Sequence, residues 1–280
     1  MPASASERFR ALVARPDEAI NLAQAALAIA EERYLDLDPA RYLEQLDAMA
    51  LEVSRALGAD AGSHDRLVAL NRYLFHEQGF HGNNAEYYDP RNSFLNDVLE
   101  RRTGIPITLS TVYLEIGWRI GLPLEGVSFP GHFMVKCEVP GGAIMLDPYS
   151  GGGSVGVAEL KKRLTLVYGR AVTEDEVLML VMSCASRKEI LARMLRNLKA
   201  IYLNQPDYAS ALAMVERLLM LHPDEPSELR DRGIIYHGLE CFRAAHADLE
   251  RYLELIPHAR DAGKIRERLA ELSDRVSRLN

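Results

Sequence analysis

Two side chains able to do acid–base work lie close together in the sequence, His132 and Asp147. An imidazole oriented by a carboxylate can act as a general base, and beside a thiol or hydroxyl it completes a nucleophilic triad. Whether the two meet depends on the segment between them. Phe133 to Val139 and Ala143 to Asp147 read as strands joined by Pro140-Gly141-Gly142. Strand side chains alternate faces, so Phe133, Val135, Cys137 and Val139 form one face. His132, Met134, Lys136 and Glu138 form the other. If opposed residue numbers sum to 279 or 281, Ile144 and Leu146 join the apolar face. Asp147 then lies opposite His132 or one diagonal away, within cross-strand reach. A one-residue slip would part the pair and expose the apolar face.

The elements before this hairpin must supply the rest of any site. Gly104-Ile105-Pro106 reads as a helix start, because proline is tolerated in the first turn. Ile107, Leu109, Val112, Tyr113, Ile116 and Ile120 then recur at helical spacing up to Gly121. Thr108 and Ser110 are hydroxyls near that helix start, and either is a candidate nucleophile with His132 and Asp147. The competing reading is plain helix-start chemistry. Ahead of the helix, Asn83, Asn84, Tyr88, Asp89, Arg91 and Asn92 form a polar, aromatic loop. It reads equally as a ligand-contacting rim or as turn residues bonding their own backbone.

The order helix, Gly121-Leu122-Pro123, strand, Gly131-His132-Phe133, strand, Asp147-Pro148 resembles the transglutaminase-like core. Asn83-Asn84, the run Tyr88 to Asn96, Arg101 to Leu109 and Phe129 to Phe133 look like the bacterial SirB-one family, whose core a branch of eukaryotic F-box proteins shares. The likeness runs from about residue 17 to the C-terminus. It implies an α+β fold: a mainly helical chain with a papain- or transglutaminase-like core and a C-terminal tetratricopeptide module. It also implies a Cys–His–Asp site, and here the sequence departs from active relatives. The window where their cysteine falls holds Pro106, Ile107 and Thr108. Cys137, Cys184 and Cys241 lie elsewhere.

Other sites find little support. His76 and His81 are spaced by five with Gly79 between them, so they lack the i, i+4 geometry of a helical zinc motif. Gly151-Gly152-Gly153-Ser154 is followed by no Gly-Lys step, which excludes a phosphate loop of that type. No metal or cofactor is expected. A net charge of −7 without a basic block argues against nucleic acid. No apolar run reaches membrane-spanning length, and the N-terminus lacks a secretory apolar region. Three unclustered cysteines fit a reducing, cytoplasmic setting.

Along the chain, helices are expected over Asp17–Arg33, from Pro39 to Gly58, from Ser63 to Gly79, over Val157–Tyr168 and from Glu174 to Val181, after a helical lead in residues 1–15. From Ser186 on the pattern is helical. Pro223 and Pro257 are 34 residues apart, the tetratricopeptide period. At that offset Ala211 matches Ala245 and Leu219 matches Leu253. The helical hairpins are Arg187–Leu203 with Tyr208–Leu221 and Ser227–His237 with Cys241–Leu255, capped by Ala259–Leu279. The expected domains are 1–182, a helical layer plus core, and 183–280, the repeats. The expected function is non-catalytic protein or peptide binding, regulatory in character, through a degenerate cleft or the repeat groove. The alternative is a hydrolase or acyltransferase using Thr108 or Ser110.

Overall fold

The computed structural model describes residues 4–277. The chain divides into two compact units, Met1–Met194 and Leu195–Asn280. The division falls inside a helix.

The first unit begins with α1 (Ala5–Val13), closed by a Ser4–Glu7 capping box, and α2 (Leu22–Ala30). The single helix expected over Asp17–Arg33 is two pieces. A 3-10 turn at Asp17–Ala19 comes first, and α2 restarts where Asn21 caps the Gln24 amide at 2.9 Å. The alanine-rich pattern hides this break, since alanine favours helix on both sides of it. Next come α3 (Pro39–Arg55) and α4 (Ser63–Asn71), which runs on as a π-helical turn through Glu77. β1 (His81–Gly82) pairs in parallel with β2 (Thr103–Gly104), and α5 (Leu95–Arg101) lies between them in sequence.

α6 (Pro106–Arg119) is the centre of this unit. Every residue from Pro106 to Gly117 is buried, not one stripe alone. Elements pack around it on all sides, so it carries apolar residues all round. Its buried Glu115 accepts a hydrogen bond from the Ala23 amide at 2.7 Å and pairs with Arg119. A carboxylate at the first turn of α2 complements the free amides and dipole there.

The sheet follows: β3 (Leu124–Val127), β4 (Met134–Val139), β5 (Gly142–Asp147) and β6 (Gly153–Ser154). After α7 (Val157–Tyr168) and α8 (Glu174–Met182) comes β7 (Cys184–Ala185). The strand order is β6-β5-β4-β3-β7, all antiparallel. Val135 opposes Leu146 and Cys137 opposes Ile144, the 281 register. One expectation about this hairpin is corrected. Its second face is not the exposed one. Met134 and Met145 pack with Leu160, Leu164 and Val177 from α7 and α8, and even Lys136 is buried. A register slip would therefore exchange two buried faces.

The second unit contains most of α9 (Arg187–Asn204), then α10 (Tyr208–Leu221), α11 (Pro226–Gly238), α12 (Phe242–Leu255) and α13 (Ala262–Ser277). Leu279, the expected end of the last helix, lies outside the described residues, as do residues 1–3 of the expected lead. The repeat offset is visible in packing: Ala211 and Ala245 are both fully buried. At Gly233 an added Cβ would sit 2.7 Å from Leu249 Cγ, so α11 and α12 approach too closely for a larger residue. No helix among the described residues is long and apolar enough to cross a membrane.

Candidate functional site

Asp147 ends β5 and His132 sits in the turn before β4, so the hairpin brings them together diagonally. His132 Nε2 lies 2.8 Å from Asp147 Oδ1. Two further groups hold the carboxylate: Arg163 Nη1 donates to Oδ2 at 3.0 Å and Ser150 Oγ donates to the same oxygen at 3.0 Å. The carboxylate is buried. Burial alone would push its pKa up. The hydrogen bond and charge of His132, with the bonds from Arg163 and Ser150, outweigh that and hold it at about 2. An ionised carboxylate only accepts hydrogen bonds. The proton in the bond is therefore on Nε2, and in the neutral ring Nδ1 is left as an acceptor. Among the described residues Nδ1 has no hydrogen-bond partner.

The two candidate hydroxyls are engaged elsewhere. Thr108 Oγ1 donates to the Asn92 carbonyl at 2.7 Å and approaches the Ile105 carbonyl at 3.1 Å, while accepting from the Ile105 amide at 3.1 Å. It closes the first turn of α6 and ties that turn to the preceding loop. Ser110 Oγ makes one long contact, 3.5 Å, to the Phe133 carbonyl. Both residues are fully buried. Neither is hydrogen-bonded to His132 or Asp147. Asp147 shares a strand face with Met145, which packs under α7. That is why Arg163, on α7, reaches it.

Most of the loop set proves to be turn chemistry. Asn83 Nδ2 donates to Asn92 Oδ1 at 3.1 Å, and Asn92 Nδ2 donates to the Glu86 carbonyl at 2.7 Å. Asn92 is fully buried. Asp89 accepts from the Arg91 amide at 2.9 Å and pairs with the Arg91 side chain at 2.7 Å. Tyr88 and Asn84 remain at the surface, Tyr88 71% exposed. The loop still reaches the His132 corner, through Tyr149. Its hydroxyl donates to Asn84 Oδ1 at 2.8 Å. Its ring meets His132 edge-on at 5.8 Å and Tyr87 at 6.5 Å. The close approach of Tyr149 also explains Gly82, where any Cβ would lie 2.4 Å from that ring.

Sequence reasoning overlooked Arg163, Ser150 and Tyr149. Tyr149 and Ser150 follow Asp147-Pro148 directly, and a short turn there would have suggested them. Arg163 sits in a Lys161-Lys162-Arg163 run that looks like a solvated face, and nothing in the sequence marks it. No group of His, Cys, Asp and Glu able to hold a metal occurs among the described residues. The cysteines stand apart: Cys137 is buried, Cys184 donates to Glu125 Oε2 at 2.8 Å, and Cys241 is exposed.

Residues 40–196 match the transglutaminase-like superfamily and residues 198–270 match the tetratricopeptide repeat. A protein of Xylella fastidiosa named "UPF0162 protein" is 39% identical over 95% of this chain and 95% of its own. A Vibrio cholerae protein of the same name is 30% identical over 91% of this chain and 94% of its own. "Protein SirB1" of Salmonella typhimurium is 30% identical over 77% of this chain and 78% of its own.

Proposed function

The chain belongs to the transglutaminase-like superfamily, with tetratricopeptide repeats after the core, and from that premise we propose that its His132 corner binds a protein or peptide segment without forming a covalent bond to it. The observation that carries this reading is the hydrogen bonding of Thr108. In the Pro106–Thr108 window, Thr108 is the one side chain with a nucleophilic atom, and its hydroxyl is buried and committed to three backbone groups. Freeing it for attack would open the first turn of α6. The His132–Asp147 pair is nonetheless intact, at 2.8 Å. A ring fixed in orientation by Asp147, a second ring nitrogen without a partner among the described residues and an edge-on tyrosine make a recognition surface for a hydrogen-bonding group and an apolar side chain. The repeats, a class of module that generally mediates protein–protein contact, offer a second surface of the same kind. The setting proposed is the cytoplasm, and the role regulatory.

A second reading, a hydrolase or acyltransferase, rests on Ser110, whose hydroxyl has the weaker tie. The two separate by mass spectrometry after exposure to fluorophosphonate and thioester acyl probes. The binding reading predicts no adduct on Thr108 or Ser110. An adduct on either that disappears in His132→Ala would establish the enzyme instead.

A further inference from the structure

Arg193, near the middle of α9 and within the first unit, is a cation with no counter-ion among the described residues. Its Nη1 donates to Ser128 Oγ at 2.9 Å and to the Phe129 carbonyl at 3.3 Å. Its guanidinium lies over the Phe133 ring, 5.6 Å from the centroid. Every one of these partners is neutral. Among the described residues no carboxylate pairs with it. Arg187, on the same helix, is bound in the same neutral way, by the Glu18 and Ile20 carbonyls and the Trp118 ring, whereas other arginines of this unit have carboxylates. Arg163 has Asp147 and Glu159, Arg91 has Asp89, and Arg119 has Asp47 and Glu115.

An uncompensated charge next to apolar groups is costly, and folded proteins usually pair it. Burial disfavours the charged form of Arg193, pulling its pKa down, and Tyr87 beside it offsets this in part. The group stays partly accessible. Its Nε and Nη2 donors have no partner among the described residues. A guanidinium presents its N–H groups in a fork that matches a carboxylate in a bidentate fashion.

The place of Arg193 in the fold connects it to the site above. Ser128 and Phe129 begin the segment that leads through Pro130 and Gly131 to His132. Tyr87 contacts Tyr149, and Tyr149 contacts His132. Tyr88 lies against Tyr87 at 5.3 Å. Tyr88, Tyr87, Tyr149 and His132 are thus joined ring to ring, and Arg193 lies over Phe133, the residue that follows His132 in the chain.

We propose that Arg193 is the anion anchor of this surface, and that the segment bound there carries a carboxylate, which pairs with the guanidinium while the tyrosines flank the neighbouring residue. A single unpaired cation with neutral neighbours suits a singly charged carboxylate. A phosphate dianion would bring a second charge with nothing opposite it. The inference rests on the binding reading proposed above and specifies the ligand class. The carboxylate has two possible sources in a peptide, an Asp or Glu side chain and the chain's own C-terminus, and the test separates them.

The experiment is selection of a random peptide display library on the full-length protein and on Arg193→Gln, followed by affinity measurement on the enriched peptides. Each is synthesised with an acidic or an amide side chain and with a free or amidated C-terminus. The expected result is enrichment of peptides with one acidic position or one required free C-terminus. Neutralising that one group should weaken binding about tenfold or more, and the difference should vanish on R193Q. Because Arg193 has only neutral partners, R193Q should melt within about 2 °C of wild type, a shift expected of sites that lose little. Should R193Q not fold, the charged and neutral peptides compared on wild type still decide the question. Peptides enriched without a carboxylate preference would overturn the inference alone, as would a preference that survives R193Q. A tighter fit for a phosphoserine version than for its glutamate counterpart would overturn the choice of carboxylate. No enriched peptide at all would overturn the binding reading and this inference with it.

Discussion

Two buried carboxylates, one in each unit, solve the same electrostatic problem in different ways. In the repeats, Glu228 accepts from Arg196 Nε at 2.8 Å and Lys199 Nζ at 2.7 Å, and Lys199 also reaches Asp231 at 2.6 Å. Both partners of Glu228 are cations on α9, two helices before α11, and the network ends in charges that neutralise one another. In the core, Asp147 is held by one cation, Arg163, one hydroxyl, Ser150, and one imidazole. The imidazole is not an endpoint. Its second nitrogen has no partner among the described residues, and its contact with Tyr149 leads on to Tyr87, the surface at which Arg193 is proposed to hold a carboxylate. A satisfied buried carboxylate therefore marks structure in both units. What distinguishes the core is the unfinished hydrogen bonding beyond it.

Substitutions can sharpen this contrast. The largest effect is expected from Glu228→Gln. It leaves Lys199 facing only Asp231 and removes the partner of Arg196. A loss of roughly 3 kcal/mol is expected, the low end for breaking a buried pair because Arg196 is half exposed. Hydrogen exchange should rise in α9 to α11 and leave α6 protected. Uniform loss across both units would show that they do not open separately.

Ala245→Leu tests the repeat packing. Ala245 has no exposed surface, so the added methylenes must displace α11 or α12, at about 1–3 kcal/mol. Unchanged thermal stability would contradict the helix register.

Asp147→Asn is expected to cost on the order of 2 kcal/mol at neutral pH, set by the difference between its folded pKa and the ordinary carboxylate value. The folded pKa is the lower one, so this stabilisation is full above about pH 4 and is lost as pH falls towards 2. In acid titrations followed by circular dichroism, the wild type should lose its advantage over the variant across that window. An advantage that persists below pH 2 would show that the carboxylate is not held as described. If the variant also binds peptide normally, the core carboxylate is a purely structural group like Glu228.

The smallest effect is expected from replacing Cys137, Cys184 and Cys241 together with serine. Binding should be unchanged wherever the variant folds, since none of the three lies at the His132 corner. Abolished binding in a folded triple variant, reproduced by alkylating wild type, would contradict this.

Much of this was legible in the sequence where the signal is local. Gly104-Ile105-Pro106 marks the start of α6, alternation marks the hairpin, and the 34-residue offset places Ala211 and Ala245 in equivalent buried positions. Local signals fail in two ways here. Asn21 restarts a helix inside an alanine-rich run whose periodicity looks continuous. Asn83, Asp89 and Asn92 have the side chains of a binding rim, yet they close turns, since the same groups serve both uses. The long-range partners were illegible for a different reason. Arg163 and Arg193 reach the site from α7 and α9, and only tertiary packing decides which face of a helix meets Asp147 or Ser128.

The most direct test compares the affinity of a selected peptide for His132→Ala and Ser110→Ala, with melting temperatures measured in parallel. A recognition corner without a nucleophile predicts that His132→Ala weakens binding about tenfold, as loss of one hydrogen bond and its ring contact would, while Ser110→Ala binds as wild type does. Unchanged affinity in a folded His132→Ala, or a loss in Ser110→Ala accompanied by an acyl adduct on Ser110 of the wild type, would contradict the account.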